Sequence, residues 1–183
     1  MGLANWLTIL RILLIPVFVT LLVYRHAAAA LAVFCLASLT DLLDGWIARS
    51  RGRQTRLGAF LDPVADKLLL TSAFVTLTWL KMIPFWITAV VVSRDLVLSV
   101  GVVVIHVAGG TVHPAPSWLG KMSTMFQMLT VLAAVASAYF KVLPEVPRAL
   151  AWVTAVFTVS SGLQYIVHGL KQIEPQATVG GGR

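Results

Sequence analysis

Seven acidic residues and one cysteine in a chain of 183 leave several classes of protein out of reach. Cys35, being alone, can neither close an internal disulfide nor build a thiolate metal site. His26, His106, His113 and His168 stand apart, with no ligand partner at helical spacing, so an imidazole-based metal centre has no support. Charge of either sign is scarce: 11% of residues carry it, against about 25% in soluble domains. With 58% hydrophobic residues and a mean hydropathy of +0.89, the chain is not an ordinary soluble domain. The net charge of +7 does not imply nucleic acid, because the basic residues form no amphipathic soluble surface. In a membrane protein they set orientation and attract anionic headgroups.

Long apolar runs dominate what remains. They fall near Trp6–Tyr24, Ala28–Ala48, Phe60–Leu80, Pro84–Val107, Trp118–Phe140 and Leu150–Leu170. At roughly 20 to 25 residues per span, the length accommodates about six transmembrane helices and little else. The first run reads as a retained span rather than a signal peptide. Trp6, Trp46, Trp79, Trp86, Trp118 and Trp152 fall one to a run, at or near an end, as an interfacial belt requires. Arg49, Arg51, Arg53 and Arg56 make the second connection the most basic, which predicts a cytoplasmic loop and, with six spans, two cytoplasmic termini. Arg25, Lys81, Lys141 and Arg148 lie on the opposing side. Residues 1–172 therefore read as one all-α membrane domain, and residues 173–183 as a polar, glycine-rich, disordered cytoplasmic tail.

Against this background, "DLLDGWIARSRGRQTRLGAFLDPVAD" gathers Asp41, Asp44, Asp62 and Asp66 into one short segment. Asp41 and Asp44 are three apart at the end of the second helix; Asp62 and Asp66 are four apart near the start of the third. Each pair shares a helix face, and a short connection lets the two pairs converge. Four carboxylates in a low-dielectric cleft largely neutralise one another unless cations lie between them. Hard oxygen donors without His or Cys select Mg²⁺, Mn²⁺ or Ca²⁺, and four of them suit two ions about 4 Å apart, a device of phosphoryl transfer. Gly45 and Ala48, on the face of Asp41 and Asp44, allow a phosphorylated group to approach the backbone. Arg49 supplies a fixed cation suited to pyrophosphate. The plainer reading is that the aspartates only neutralise the neighbouring arginines; it leaves the paired spacing and the small residues unexplained.

The same segment matches D-x2-D-G-x2-A-R-x8-G-x3-D-x3-D at Asp41, Asp44, Gly45, Ala48, Arg49, Gly58, Asp62 and Asp66. In this it resembles the CDP-alcohol phosphatidyltransferases, as do "NWLTILRILLIP" and the six expected spans. The resemblance implies transfer of a phosphatidyl group from CDP-diacylglycerol to an alcohol, with release of CMP. It implies that Asp41, Asp44 and Asp62 hold Mg²⁺ or Mn²⁺, two ions in all, with Asp66 also near them. Asp41, Gly45, Ala48, Arg49 and Gly58 would line the CDP site, and Asp66 would be the general base. A homodimer in a bacterial inner membrane, with its active site at the cytoplasmic face, is implied as well.

The acceptor is harder to read. "SRDLVLS" puts Arg94 and Asp95 mid-way along the fourth run, where ionisable residues normally face a cavity or one another. Arg94, Lys121 and Arg56 are candidates for an acceptor phosphate. Val102 stands where the resemblance to glycerophosphate-using members calls for a second arginine. Together with "IPFWITAVVVSRDLVL" and "PSWLGKMSTMFQM", this points to phosphatidylglycerol as acceptor, as in CMP-forming cardiolipin synthases, with glycerol 3-phosphate the alternative. A cation-coupled transporter is the rival from another class; it explains intramembrane charge but not the clustering at one end. Met122, Met125 and Met128 read as packing.

Overall fold

The computed structural model describes residues 3–51, 56–107, 117–141 and 145–173, with side chains described over 6–40, 64–101, 117–141 and 145–167. Six helices follow in order: α1 (Leu3–Val23), α2 (Ala27–Arg51), α3 (Arg56–Trp79), α4 (Phe85–Val107), α5 (Trp118–Phe140) and α6 (Glu145–Ile173). No strand occurs among the described residues. Leucine, alanine and other good helix formers fill these segments, and in apolar surroundings a helix satisfies its own backbone. Even Pro16 leaves α1 unbroken, as is tolerated in such surroundings.

The expected runs and the helices agree to within a few residues, with two informative differences. Helix α6 begins at Glu145, five residues ahead of the expected Leu150. Glu145 is favourable at a helix N-terminus, and Pro147 falls in the first turn, where its missing N–H would have had no intrahelical partner. Helices α2 and α3 also extend into the basic connection, so Arg49, Arg51 and Arg56 are helical rather than looped. Arginine is a good helix former, and at the end of α2 it complements the helix dipole.

Helix α1 packs on α2 and α3, α5 on α6, α4 on α6, and α2 on α5. The connections after α1, α3 and α5 lie at one end of the bundle. Arg25 and Lys81 end their helices with positive φ. In each case the flanking amides close a Schellman motif: Arg25 to Leu22 and His26 to Leu21, Lys81 to Thr78 and Met82 to Leu77. Lys141 caps α5 in the same left-handed conformation.

The buried apolar core occupies the half nearer these turns. Phe18 and Phe34 pack at a centroid distance of 5.4 Å, among Leu22, Phe74, Leu77, Ile87, Val91, Val131 and Val135. Large apolar side chains also face outward; Leu13, Leu96 and Val156 are each at least 60% exposed. Such a surface is matched to hydrocarbon, not water. Among the described residues, α1, α5 and α6 are each long and apolar enough to cross a bilayer, while the apolar stretch of α2, Ala27–Thr40, is shorter. The chain is an integral membrane protein.

Candidate active site

Buried polar groups collect in the other half of the bundle, where α1, α3 and α5 begin and α2, α4 and α6 end. Thr8, Arg11, Thr40, Ser123, Gln127 and Ser161 are all at most 5% exposed. A polar group removed from water without a partner costs several kcal/mol at most and roughly 1 at least, so such a concentration needs an explanation.

Asp66 is the sequence-predicted base whose side chain is described. It lies on α3, and its Oδ1 accepts a hydrogen bond from Nη1 of Arg11 on α1. Arg11 is wholly buried, whereas the Asp66 side chain keeps 32% of its surface accessible. The sequence reading passed over Arg11, although an arginine in the interior of an apolar run is a signal by the same reasoning that drew attention to Arg94. Lys67, the next residue, turns toward α4, donating to Ser99 Oγ at 2.9 Å and lying 3.5 Å from the carbonyl of Asp95.

Asp41, Asp44, Gly45, Ala48 and Arg49 lie in α2, and Arg56, Gly58 and Asp62 in α3. Their side chains lie outside the described residues, as does the tail from residue 174 onward. No cluster of three or more metal-binding side chains occurs among the described residues. As a donor set, the carboxylates on α2 and α3 have the chemistry a hard divalent cation requires. The carboxylate of Asp66 is already engaged by a guanidinium.

The second charged group belongs to α4. Nη1 of Arg94 donates to Asp95 Oδ1 at 2.8 Å and Nη2 to Ser161 Oγ of α6 at 2.8 Å. Both side chains are mostly buried, 13% and 12% exposed. Nε of Arg94 is also buried, with no hydrogen-bond partner among the described residues. Two glycines flank this side chain at ordinary contact distance. A Cβ on Gly120 of α5 would meet Arg94 Nη2 at 3.5 Å, and one on Gly162 of α6 would meet Arg94 Cγ at 3.5 Å. The carboxylate that Arg94 meets is that of its own chain neighbour. Lys121 is exposed at the start of α5, one turn beyond Ser117, whose hydroxyl caps the helix by accepting from Gly120 N–H at 3.0 Å.

A polar seam between α5 and α6 continues this half inward. Ser123 shares a hydrogen bond with Thr158 at 2.9 Å, Thr130 with Thr154 at 2.8 Å, and Gln127 Nε2 donates to Ser123 and Thr158. Bonds of this kind tie helices together where both sides face apolar surroundings. Met125 is exposed and Met128 packs against the core, in keeping with a packing role for the methionines.

Comparison with known proteins gives this arrangement its class. The family model for CDP-alcohol phosphatidyltransferase matches residues 1–160. The chain is 39% identical to the "Probable phosphatidylglycerophosphate synthase" of Mycobacterium tuberculosis, over 94% of this chain and 83% of that protein. It is 37% identical to the CDP-diacylglycerol–glycerol-3-phosphate 3-phosphatidyltransferase of Salmonella typhimurium, over 87% and 90%. It is 33% identical to the human cardiolipin synthase (CMP-forming), over 93% of this chain and 62% of that protein. The chain belongs to the CDP-alcohol phosphatidyltransferase family. It is thus a transferase of phospholipid biosynthesis, taking a CDP-alcohol and an alcohol acceptor in a lipid setting.

Proposed function

We propose that this enzyme transfers the phosphatidyl group of CDP-diacylglycerol to phosphatidylglycerol, forming cardiolipin and CMP. The class rests on family membership. The acceptor rests on one observation: the charge of Arg94 is already balanced by Asp95 at 2.8 Å, while its Nε has no hydrogen-bond partner among the described residues. One balanced arginine suits the single charge of a phosphodiester better than the double charge of a phosphomonoester. The specific reading of glycerol 3-phosphate draws on the names of the Mycobacterium and Salmonella relatives and is the second reading.

In the reaction, Asp66 takes the proton from the acceptor hydroxyl. The acceptor oxygen forms a bond to the phosphatidyl phosphorus, and the pyrophosphate P–O bond breaks to release CMP. Arg49 balances charge on the pyrophosphate, Gly45, Ala48 and Gly58 leave room for the nucleotide, and Asp41 contributes to both nucleotide and cation binding. Asp41, Asp44 and Asp62 would hold Mg²⁺ or Mn²⁺, which when bound withdraws charge from the pyrophosphate. Lys121 and Arg56 contribute positive charge to acceptor entry. All six helices cross the membrane, with both termini and the site on the cytoplasmic side of a bacterial inner membrane, and the enzyme works as a homodimer.

The test offers radiolabelled phosphatidylglycerol and glycerol 3-phosphate separately to purified enzyme with CDP-diacylglycerol and Mg²⁺, and identifies the lipid product by chromatography. Labelled cardiolipin from the first is expected. Phosphatidylglycerophosphate from the second, with no cardiolipin from the first, would replace this acceptor with the alternative. No CMP with either, alongside cation flux in liposomes, would favour a transporter.

A further inference from the structure

Arg11 is the only charged residue of α1, and none of its side chain is accessible. It cannot touch a substrate. Its partner Asp66 is 55 residues away in the chain, on α3, and a third of that side chain is accessible. A fully buried guanidinium therefore holds a carboxylate that is itself partly accessible. A buried ion pair is a poor way to join two helices, since replacing one by apolar residues is often neutral or stabilising. Two packed helices with leucine, phenylalanine and alanine between them need no charge to stay together. What a guanidinium adds is direction: its planar, rigid fork fixes the orientation of a carboxylate, as a flexible ammonium does not.

We infer that Arg11 is a positioning residue, which acts through Asp66 by fixing the plane and place of the carboxylate that receives the acceptor proton. The inference rests on the phosphatidyltransferase reading of Asp66. A carboxylate whose charge is met by a guanidinium is a weaker cation ligand than one that is not, which suits Asp66 to proton transfer rather than to holding a cation. Losing Arg11 should then slow the chemistry and leave binding alone.

The experiment compares wild type, Arg11→Met and Arg11→Lys in three readouts: kcat, KM for CDP-diacylglycerol, and affinity for CDP with Mn²⁺ by titration calorimetry. A misplacement of about 1 Å can cost about 100-fold in rate, so kcat of Arg11→Met should fall about 10- to 100-fold. KM and CDP affinity should stay within about twofold, and Arg11→Lys should recover part of the lost rate. Unchanged kcat overturns the inference; so does a loss of CDP affinity in step with kcat, which would make Arg11 part of the donor site. If Arg11→Met does not fold, Arg11→Lys carries the test alone, since it retains the charge: its kcat must fall with binding unchanged, and wild-type kcat overturns the inference. A wild type inactive with both acceptors would defeat the proposed function instead, and is distinguished by that control.

Discussion

Replacing Arg94 tests the acceptor site most directly. Of the five N–H donors of its guanidinium, one meets Asp95 and one Ser161, and Nε has no hydrogen-bond partner among the described residues. A hydrogen bond from a charged donor contributes about 1.5–3 kcal/mol. At 1.4 kcal/mol per factor of ten, its loss should raise KM for phosphatidylglycerol about 10- to 150-fold. Arg94→Met keeps the apolar stem, but it leaves Asp95 buried and unpaired, at a cost of about 3–5 kcal/mol in stability. The double variant Arg94→Met/Asp95→Asn removes both charges and avoids that cost. The assay is CMP release at saturating CDP-diacylglycerol, with the acceptor varied in mixed micelles and thermal unfolding measured in the same detergent. Acceptor KM should rise equally in both variants, while only the single variant loses stability. An acceptor KM within threefold of wild type in the double variant, or an equal rise in the donor KM, would refute the assignment. Asp95→Asn alone extends the logic. It unbalances Arg94, so glycerol 3-phosphate should gain on phosphatidylglycerol as acceptor; an unchanged ratio would sink the charge-balance argument.

Three further outcomes are expected. Asp66→Asn keeps the shape of the side chain and an oxygen for Arg11 but cannot take up a proton, so turnover should fall about 10²- to 10⁴-fold with CDP-diacylglycerol binding intact; wild-type-like activity would remove Asp66 as the base. Asp41→Ala and Asp44→Ala should each lose metal-dependent CDP binding by calorimetry, and undiminished affinity would count against their role as ligands. Thr158→Val removes the hydroxyl that serves both Ser123 and Gln127, and should lower stability by about 0.6–1.7 kcal/mol, read as a lower melting temperature at unchanged KM values.

Much of this was legible in the sequence because length and hydropathy leave few alternatives to a helical bundle. The apolar runs located all six helices, and the aspartate spacing located the family. What escaped has physical causes. Helix α6 began early because Pro147 reads as a breaker from composition but is harmless in a first turn. The α5–α6 seam was missed because serine, threonine and glutamine are neutral in hydropathy and vanish among leucines. Its signal was nonetheless present: Ser123, Gln127 and Thr130 repeat the four-then-three spacing of Thr154, Thr158 and Ser161. That is the spacing of one helix face meeting another. Arg11 was missed because an arginine near the start of a first span passes for an orientation signal, and only the tertiary fold shows that it is buried against α3.

The two arginine–aspartate pairs are opposite in kind. Arg94 and Asp95 are adjacent in the chain, so their pairing fixes no relation between helices and closes no tertiary contact. All it can do is balance charge, and it leaves donors of Arg94 for something else. Arg11 and Asp66 come from different helices, and their pairing does fix a relation: the position of a carboxylate on α3 relative to α1. A balanced cation with a spare donor fits a ligand that arrives and departs. A buried cation locked onto an accessible carboxylate fits a group that must not move while the ligand is there. Substitution should therefore separate the pairs kinetically, with Arg94 appearing in the acceptor KM and Arg11 in kcat. An Arg94 substitution that moved kcat alone, or an Arg11 substitution that moved the acceptor KM alone, would deny that pair the role its geometry indicates.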